Sequence, residues 1–297
     1  MSSAVRNQQK VSLNDLEKDD RGFALLSKLL LELTGIHLPL NEKNRFLLSS
    51  RLAKVMEKKG LSSYRQYYEL ICRERGEIQS EFVSRMTTNT THFFREGSHF
   101  DFLRTAVPQI IQEKMKARMG SDLRMWCAAS STGQEVYTLL MTLEEAGFDF
   151  SGDRLKFLAT DIDHQVLEKA AKGLYSQKAV KGLSKTHLLK FFNKVKFNEA
   201  KYQDDLSYEI KDKWACKVRF APFNLLTSAY SFQFQFDVIF CRNVLIYFRA
   251  EEIERVVASL TKNLRKGGYL FVGHSESGSI RSPHLKSVSH SVYRKVR

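Results

Sequence analysis

Residues 123–137 read LRMWCAASSTGQEVY. The run from Leu123 to Ala129 is apolar apart from Arg124, and its length and composition suit a short buried strand. It narrows into the small residues Ala128, Ala129, Ser130, Ser131, Thr132 and Gly133. Val136, Tyr137, Leu139, Leu140 and Leu143 then recur at helical spacing. Strand, small-residue turn and helix is how open α/β sheets hold nucleotide-like cofactors, because the ligand lies against the backbone of the turn. Gly133 is the single glycine of this turn, so the dinucleotide fingerprint is absent.

Downstream, Leu155 to Ala159 reads as a second buried strand closing on Thr160 and Asp161. A carboxylate about 20 residues beyond such a turn takes ribose hydroxyls. An acid here can also cap a helix; Asp163 is expected to be the cap and Asp161 the ribose ligand. Val166, Leu167 and Ala170 give a helix ending near Gly173, and Ser184 caps another through Phe192. Val195/Phe197, Tyr208/Ile210 and Val218/Phe220 alternate, and predict short antiparallel strands in an insertion at about 195–218 that leads into the next strand of the main sheet, closed by Asn224-Leu225-Leu226. Phe236 to Cys241 is a further buried strand with Arg242 and Asn243 at its carboxyl end, where ligands bind in open sheets. A helix over Glu251 to Leu264, a Gly267-Gly268 turn, a strand over Tyr269 to Val272 and a terminal hairpin complete a mostly parallel sheet covered on both faces.

Upstream, residues 1–18 read as a mobile tail and 19–90 as an all-helical domain, leaving 91–297 for the α/β domain. Asp20 is expected to cap a helix striped by Phe23, Leu26, Leu30 and Leu33 and closed by Gly35. A second helix, about Asn41 to Lys59, buries Leu48, Leu52, Val55 and Met56; Arg51, Lys54 and Lys58 form a basic stripe beside them. Ser62 or Ser63 caps a third helix, and a fourth spans about Glu77 to Met86. The stretch TTNTTHFFRE, residues 87–96, then breaks the helical pattern, and the helix after it is expected to be interrupted at Pro108.

Composition narrows the classes of function. With 297 residues and 43% hydrophobic content the chain can bury one or two cores, and no apolar run reaches the length of a membrane span. The polar start MSSAVRNQQK lacks a signal core, and four scattered cysteines without a CxxC argue for reduced thiols in the cytoplasm and against a metal. A net charge of +14 calls for an acidic partner: nucleic acid, an anionic membrane surface or an acidic protein.

Taken together and in order, Gly35-Ile36 with Lys43 and Arg51-Leu52, TTNTTHFFRE, AASSTGQEVY, ATDID, Asn224-Leu225-Leu226, FDVIFCRNVLIYF and GHSE at 273–276 resemble the chemotaxis receptor glutamate methyltransferases, the CheR family. The resemblance implies a Rossmann-like α/β domain that binds S-adenosylmethionine, an N-terminal helical domain and a small antiparallel β subdomain. It implies methyl transfer to receptor glutamates, giving 5-O-methyl esters and S-adenosylhomocysteine. Motif by motif, it puts the cofactor contacts on Asn89, Thr91, Arg95, Glu135, Asp161, Asn224, Leu225, Arg242 and Asn243, with Arg95 and Tyr247 nearest the transferred methyl. The family turn usually reads STGEEPY; Gln134 and Val136 depart from it, and Glu135 is kept.

The chemistry agrees with the absence of a catalytic base: a glutamate, with a pKa of about 4.3, is already ionised near neutrality. His92 and His274 are therefore expected to be structural. A nucleic-acid methyltransferase that modifies base amino groups carries two prolines after Asn or Asp at this strand end, whereas Val244 and Leu245 follow Asn243. Intact Arg95, Tyr247 and Asp161 speak against a non-catalytic scaffold. The expected partner is the helical cytoplasmic domain of a chemotaxis receptor, met through Arg51, Lys54 and Lys58, by a monomer that neither binds nucleic acid nor enters the membrane. Some family members add a receptor C-terminal peptide to the edge of the β subdomain. The corresponding 193–212 here has no glycine and many charges, so no such tether is expected.

Overall fold

A computed structural model of the chain describes residues 16–196 and 206–297. Most of the tail expected over 1–18, and Phe197 with the rest of 197–205, lie outside the described residues. The chain divides into two compact units, the first ending at Thr88 and the second running from Asn89 to Arg297.

Among its described residues the first unit is built on the helices α1 (Asp20–Thr34), α2 (Glu42–Lys58), α3 (Tyr64–Glu74) and α4 (Gly76–Met86). Their apolar stripes meet in one core built from Phe23, Leu26, Leu30, Leu48, Leu52, Tyr67 and Phe82. Asp19, not Asp20, caps α1: its Oδ1 accepts from Gly22 N at 2.9 Å and its Oδ2 from Tyr64 N at 3.2 Å. Asp20, one residue inside, pairs with Arg45 instead. Asn41 and Ser63 cap α2 and α3 through side-chain oxygens, and Gly35, with φ 75°, ends α1 in the left-handed turn that glycine allows. The expected basic stripe is also revised. Arg51 Nη1 donates to the carbonyls of Met86 at 2.6 Å and Thr87 at 3.1 Å, satisfying the C-terminus of α4, while Lys54 and Lys58 stay exposed.

The second unit opens with α5 (Ser98–Lys116) and continues β1 (Leu123–Cys127), α6 (Gln134–Glu145), β2 (Leu155–Asp161) and α7 (His164–Lys172). It goes on through β3 (Leu174–Ser176), α8 (Lys185–Phe191), β4 (Phe192–Lys196), β5 (Leu206–Ile210) and β6 (Val218–Pro222). It ends with β7 (Phe236–Cys241), α9 (Ala250–Asn263), β8 (Leu264–Val272), β9 (Leu285–Ser289) and β10 (Val292–Lys295). Pro108 does not interrupt α5, which runs on around it. The cost of an interior proline, about 3 kcal/mol, is offset by burial of Leu103, Val107 and Ile110.

Seven strands form the main sheet in the order β6-β2-β1-β7-β8-β10-β9, parallel from β6 to β8 and antiparallel at β10 and β9. Strand alternation splits the core. Met125, Cys127, Val238 and Phe240 pack with α5 and α6 on one face; Trp126, Ile239 and Leu270 pack with Val256, Val257 and Leu260 of α9 on the other. The insertion differs from the expected 195–218. A three-stranded antiparallel sheet, β3-β5-β4, begins at Leu174, and Val218/Phe220 belong instead to the main sheet, parallel to β2. Three residues at β3 are too few for an alternation to show. Gly267-Gly268 likewise lies inside a long β8, at an irregularity in its pairing with β7, rather than in a turn before the strand.

Candidate active site

After β1 the chain moves to β2 and β6 on one side; after β7 it moves to β8 on the other. The crevice beyond the carboxyl ends of β1 and β7 is thus the topological switch point, the place where such sheets bind ligands. Three segments supply it: the β1–α6 turn, the Thr87–Glu96 stretch from Asn89 onward, and the loop after β7.

The turn is held by acids. Asp161, almost fully buried at the end of β2, accepts from Ser131 N at 2.8 Å on Oδ2 and from Asp163 N at 3.0 Å on Oδ1. Burial pushes its pKa up, and those N–H donors pull it back. Asp163 caps α7 as expected, taking Gln165 N at 2.9 Å, and its other oxygen accepts from Asn89 Nδ2 at 2.9 Å. The Asn89 carbonyl in turn accepts from Ser131 Oγ at 3.0 Å. Gly133 has φ 93°, and a Cβ there would stand 2.8 Å from Tyr175 Oη, so conformation and space both require glycine.

Arg242 organises the second cluster. Its side chain is wholly buried; Nη1 donates to Glu135 Oε2 at 2.6 Å, and Nη2 to Glu96 Oε2 at 2.8 Å and to the Arg95 carbonyl at 2.7 Å. Glu96 also accepts from Asn243 Nδ2 at 3.2 Å and His274 N at 3.2 Å. Despite burial, these donors, Arg242 foremost, hold its pKa down at about 2. For Glu135 the balance goes the other way: desolvation pushes its pKa up against the pull of Arg242. Its Oε1 accepts from the Cys127 thiol at 3.4 Å. His99, fully buried beside Glu96, has its pKa lowered to about 4, chiefly by burial. Donor atoms of Glu96, His99 and His274 lie within 4.8 Å of one another.

Of the residues singled out in the sequence, Asn89 and Asp161 share the first network, and Glu135, Arg242, Asn243 and the Arg95 carbonyl the second. The Arg95 side chain donates to the Thr90 carbonyl at 2.8 Å. Thr91 is half-buried on the same stretch. Asn224 turns the chain after β6 by accepting from Leu226 N at 2.9 Å, beside Phe223, whose N–H donates to the Asp161 carbonyl at 2.9 Å; Leu225 is buried there. Tyr247 is half-buried in a short 3₁₀ turn, Leu245–Tyr247. Glu96 and Glu276 stand within the TTNTTHFFRE and GHSE motifs without an evident role in the sequence; the one signal each offers is an acid set beside glycine or aromatics at a strand or helix end. Phe94, Glu96, Ser131 and Asn243 all have φ between 46° and 58°, so backbone strain gathers in the segments that build the crevice.

These residues fit a polar cofactor. Ser130 Oγ and Arg242 Nε are buried without a hydrogen-bond partner among the described residues, so the crevice has polar capacity that the protein does not use. Residues 89–293 match the family model for the CheR methyltransferase SAM binding domain, and residues 21–87 the model for the CheR methyltransferase all-alpha domain. The chain belongs to the CheR family. It is 34% identical over 293 residues to the chemotaxis protein methyltransferase of Borreliella burgdorferi, covering 97% of this chain and 99% of that one. It is 34% identical to the chemotaxis protein methyltransferase of Escherichia coli (89% of this chain, 87% of that one) and 35% to chemotaxis protein methyltransferase 1 of Pseudomonas aeruginosa (90% and 93%). Its activity is S-adenosylmethionine-dependent methylation of glutamates in chemotaxis receptors, the reaction the sequence motifs implied. No helix among the described residues is long and apolar enough to cross a membrane.

Proposed function

We propose that the two networks divide the work of this CheR-family enzyme: Asn89, Thr91, Asp161, Asn224 and Leu225 hold the nucleoside end of S-adenosylmethionine, and Glu135, Arg242, Asn243 and Arg95 the amino-acid end. The observation that carries this is the charge of the Arg242 cluster. One buried guanidinium faces two carboxylates, Glu96 and Glu135. With both acids ionised the cluster is short of one positive charge, which an ammonium group supplies. Glu96 is saturated by Arg242, Asn243 and His274, so Glu135 is the acid left to receive it.

When bound, the cofactor supplies a methyl group activated by a positive sulfur. The protein's own task is to align the acceptor oxygen and to exclude water, since charge is neutralised in the transition state and no proton has to move. Tyr247 positions the acceptor carboxylate through its hydroxyl. Arg95, tied to the Thr90 carbonyl, acts on the cofactor side; a lasting two-pronged pair with the acceptor would blunt its nucleophilicity. The product is S-adenosylhomocysteine, and no metal takes part. The enzyme works in the cytoplasm as a monomer, meets the receptor's helical domain through α2, and uses no C-terminal tether.

The test is Tyr247→Phe. Turnover on purified receptor is expected to fall while the calorimetric Kd for S-adenosylmethionine holds; normal turnover would remove Tyr247 from the reaction.

A further inference from the structure

We propose that residues 243–247 form a preset docking element for the protein acceptor, with Ile246 as its apolar contact and Glu276 as the positioning residue that fixes it. Glu276 is 2% exposed. Its Oε2 accepts from Gly273 N at 2.5 Å and Asn243 N at 2.9 Å, and its Oε1 from Leu245 N at 2.7 Å and Ile246 N at 3.4 Å. Three of these four donors belong to the loop after β7, which has left the sheet and has no strand to pair with. One carboxylate thus satisfies a backbone that would otherwise be buried without partners. The fit is close. A Cβ on Gly273 would lie 2.6 Å from Asn243 Nδ2, 2.7 Å from Glu276 Oε2 and 3.0 Å from Asn243 N, so the two segments pack closely where residue 273 has no side chain.

This anchoring sets what the loop shows. Leu245 is 1% exposed and plugs into the core under α9, whereas its neighbour Ile246 is 52% exposed. Tyr247 follows it. A large apolar side chain standing half in water on a rigid loop, next to the tyrosine assigned to the acceptor, suits the segment of substrate that carries the target glutamate. The occupant is that segment, whose apolar side chains and glutamate stem cover Ile246. This rests on the reading of Tyr247 as the acceptor-facing residue.

Ile246→Ser removes the contact at an exposed position, so the enzyme stays folded. With full-length enzyme and receptor, KM for receptor is expected to rise about fivefold, what losing half of an isoleucine's burial amounts to. Turnover at saturating receptor and the calorimetric Kd for S-adenosylmethionine should stay at parental values, and Ile246→Leu should restore KM. An unchanged KM with Ile246→Ser, or an equal loss of cofactor affinity, overturns the proposal. Glu276→Gln keeps the size but turns an amide toward the N–H donors; kcat/KM for receptor is expected to fall at least tenfold, roughly what one lost charge-assisted hydrogen bond costs, while the cofactor Kd moves less. Glu276→Asp serves the same comparison if the glutamine variant does not fold; parental kcat/KM in the folded variant counts against the anchor. Parental turnover in Tyr247→Phe would sink the role of Tyr247 without touching the Ile246 result, which is scored on KM.

Discussion

On the proposed reading Glu135 must be charged to receive the ammonium of the cofactor, yet burial in its site favours the neutral form. Burial raises its pKa above the ordinary 4.5, and Arg242 only partly opposes this. The sign is then fixed. Above the raised pKa the carboxylate is ionised and attracts an ammonium; as pH falls through that value it takes up a proton and the attraction is lost. Cofactor affinity should therefore begin to fall at a higher pH than an ordinary glutamate would give. Calorimetry across pH should show this, with the slope reduced in Glu135→Gln to the part that Asp161, whose pKa burial also raises, contributes; an equal slope in that variant would move the titration away from Glu135. Glu96 will not confuse the result, because its pKa is held at about 2. Asp161 shows how far one residue can be read in advance. Its place at the end of β2 was legible from the run Leu155 to Thr160, but its grip on Ser131 N and Asp163 N follows only from the turn's conformation.

At the scale of elements, the proposed receptor contact through α2 and the proposed lack of a C-terminal tether can each be tested. Arg51 is committed to the carbonyls at the end of α4, so Lys54 and Lys58 carry the exposed positive face. Lys54→Glu with Lys58→Glu should raise KM for receptor severalfold at low salt, with less effect at high salt and none on cofactor binding. Identical receptor kinetics at low salt would dismiss steering by α2. The periodicity of that helix revealed its stripe but could not tell which cation was already engaged. In the β subdomain β5 is central, and β4, which exposes Lys194 and Lys196, is an edge strand among the described residues. Lysines on an edge oppose strand addition. Receptor C-terminal peptides should give no heat of binding, and a tail-deleted receptor should be methylated at the parental rate; micromolar binding with lost activity would refute this.

For the molecule as a whole, the far end of the sheet is fastened by ions that have no part in the chemistry. Lys114 of α5, 3% exposed, donates to Asp237 Oδ2 of β7 at 2.9 Å, and Arg265 of β8 pairs with the other oxygen. Arg124 N also donates to Asp237, at 2.9 Å. Lys114→Met should cost about 3 kcal/mol of unfolding free energy, the usual penalty for stranding one member of a buried ion pair. Urea titration would measure it, and a loss below about 0.5 kcal/mol would mean that Arg265 alone suffices. Nothing in the sequence joins residues 114, 237 and 265; only the packing of α5 under the sheet does. By itself the sequence determined the strand–turn–helix over 123–137, the helices before Thr87, the buried strand Phe236 to Cys241 and most helix caps, because apolar period and capping chemistry act over a few residues. The tertiary structure decided which of the charges near those elements are spent. It committed Arg51 to a helix end, gave Glu276 a loop to hold and set Arg242 between two acids, because an ion's partner is chosen by burial and by backbone groups that other segments bring within reach.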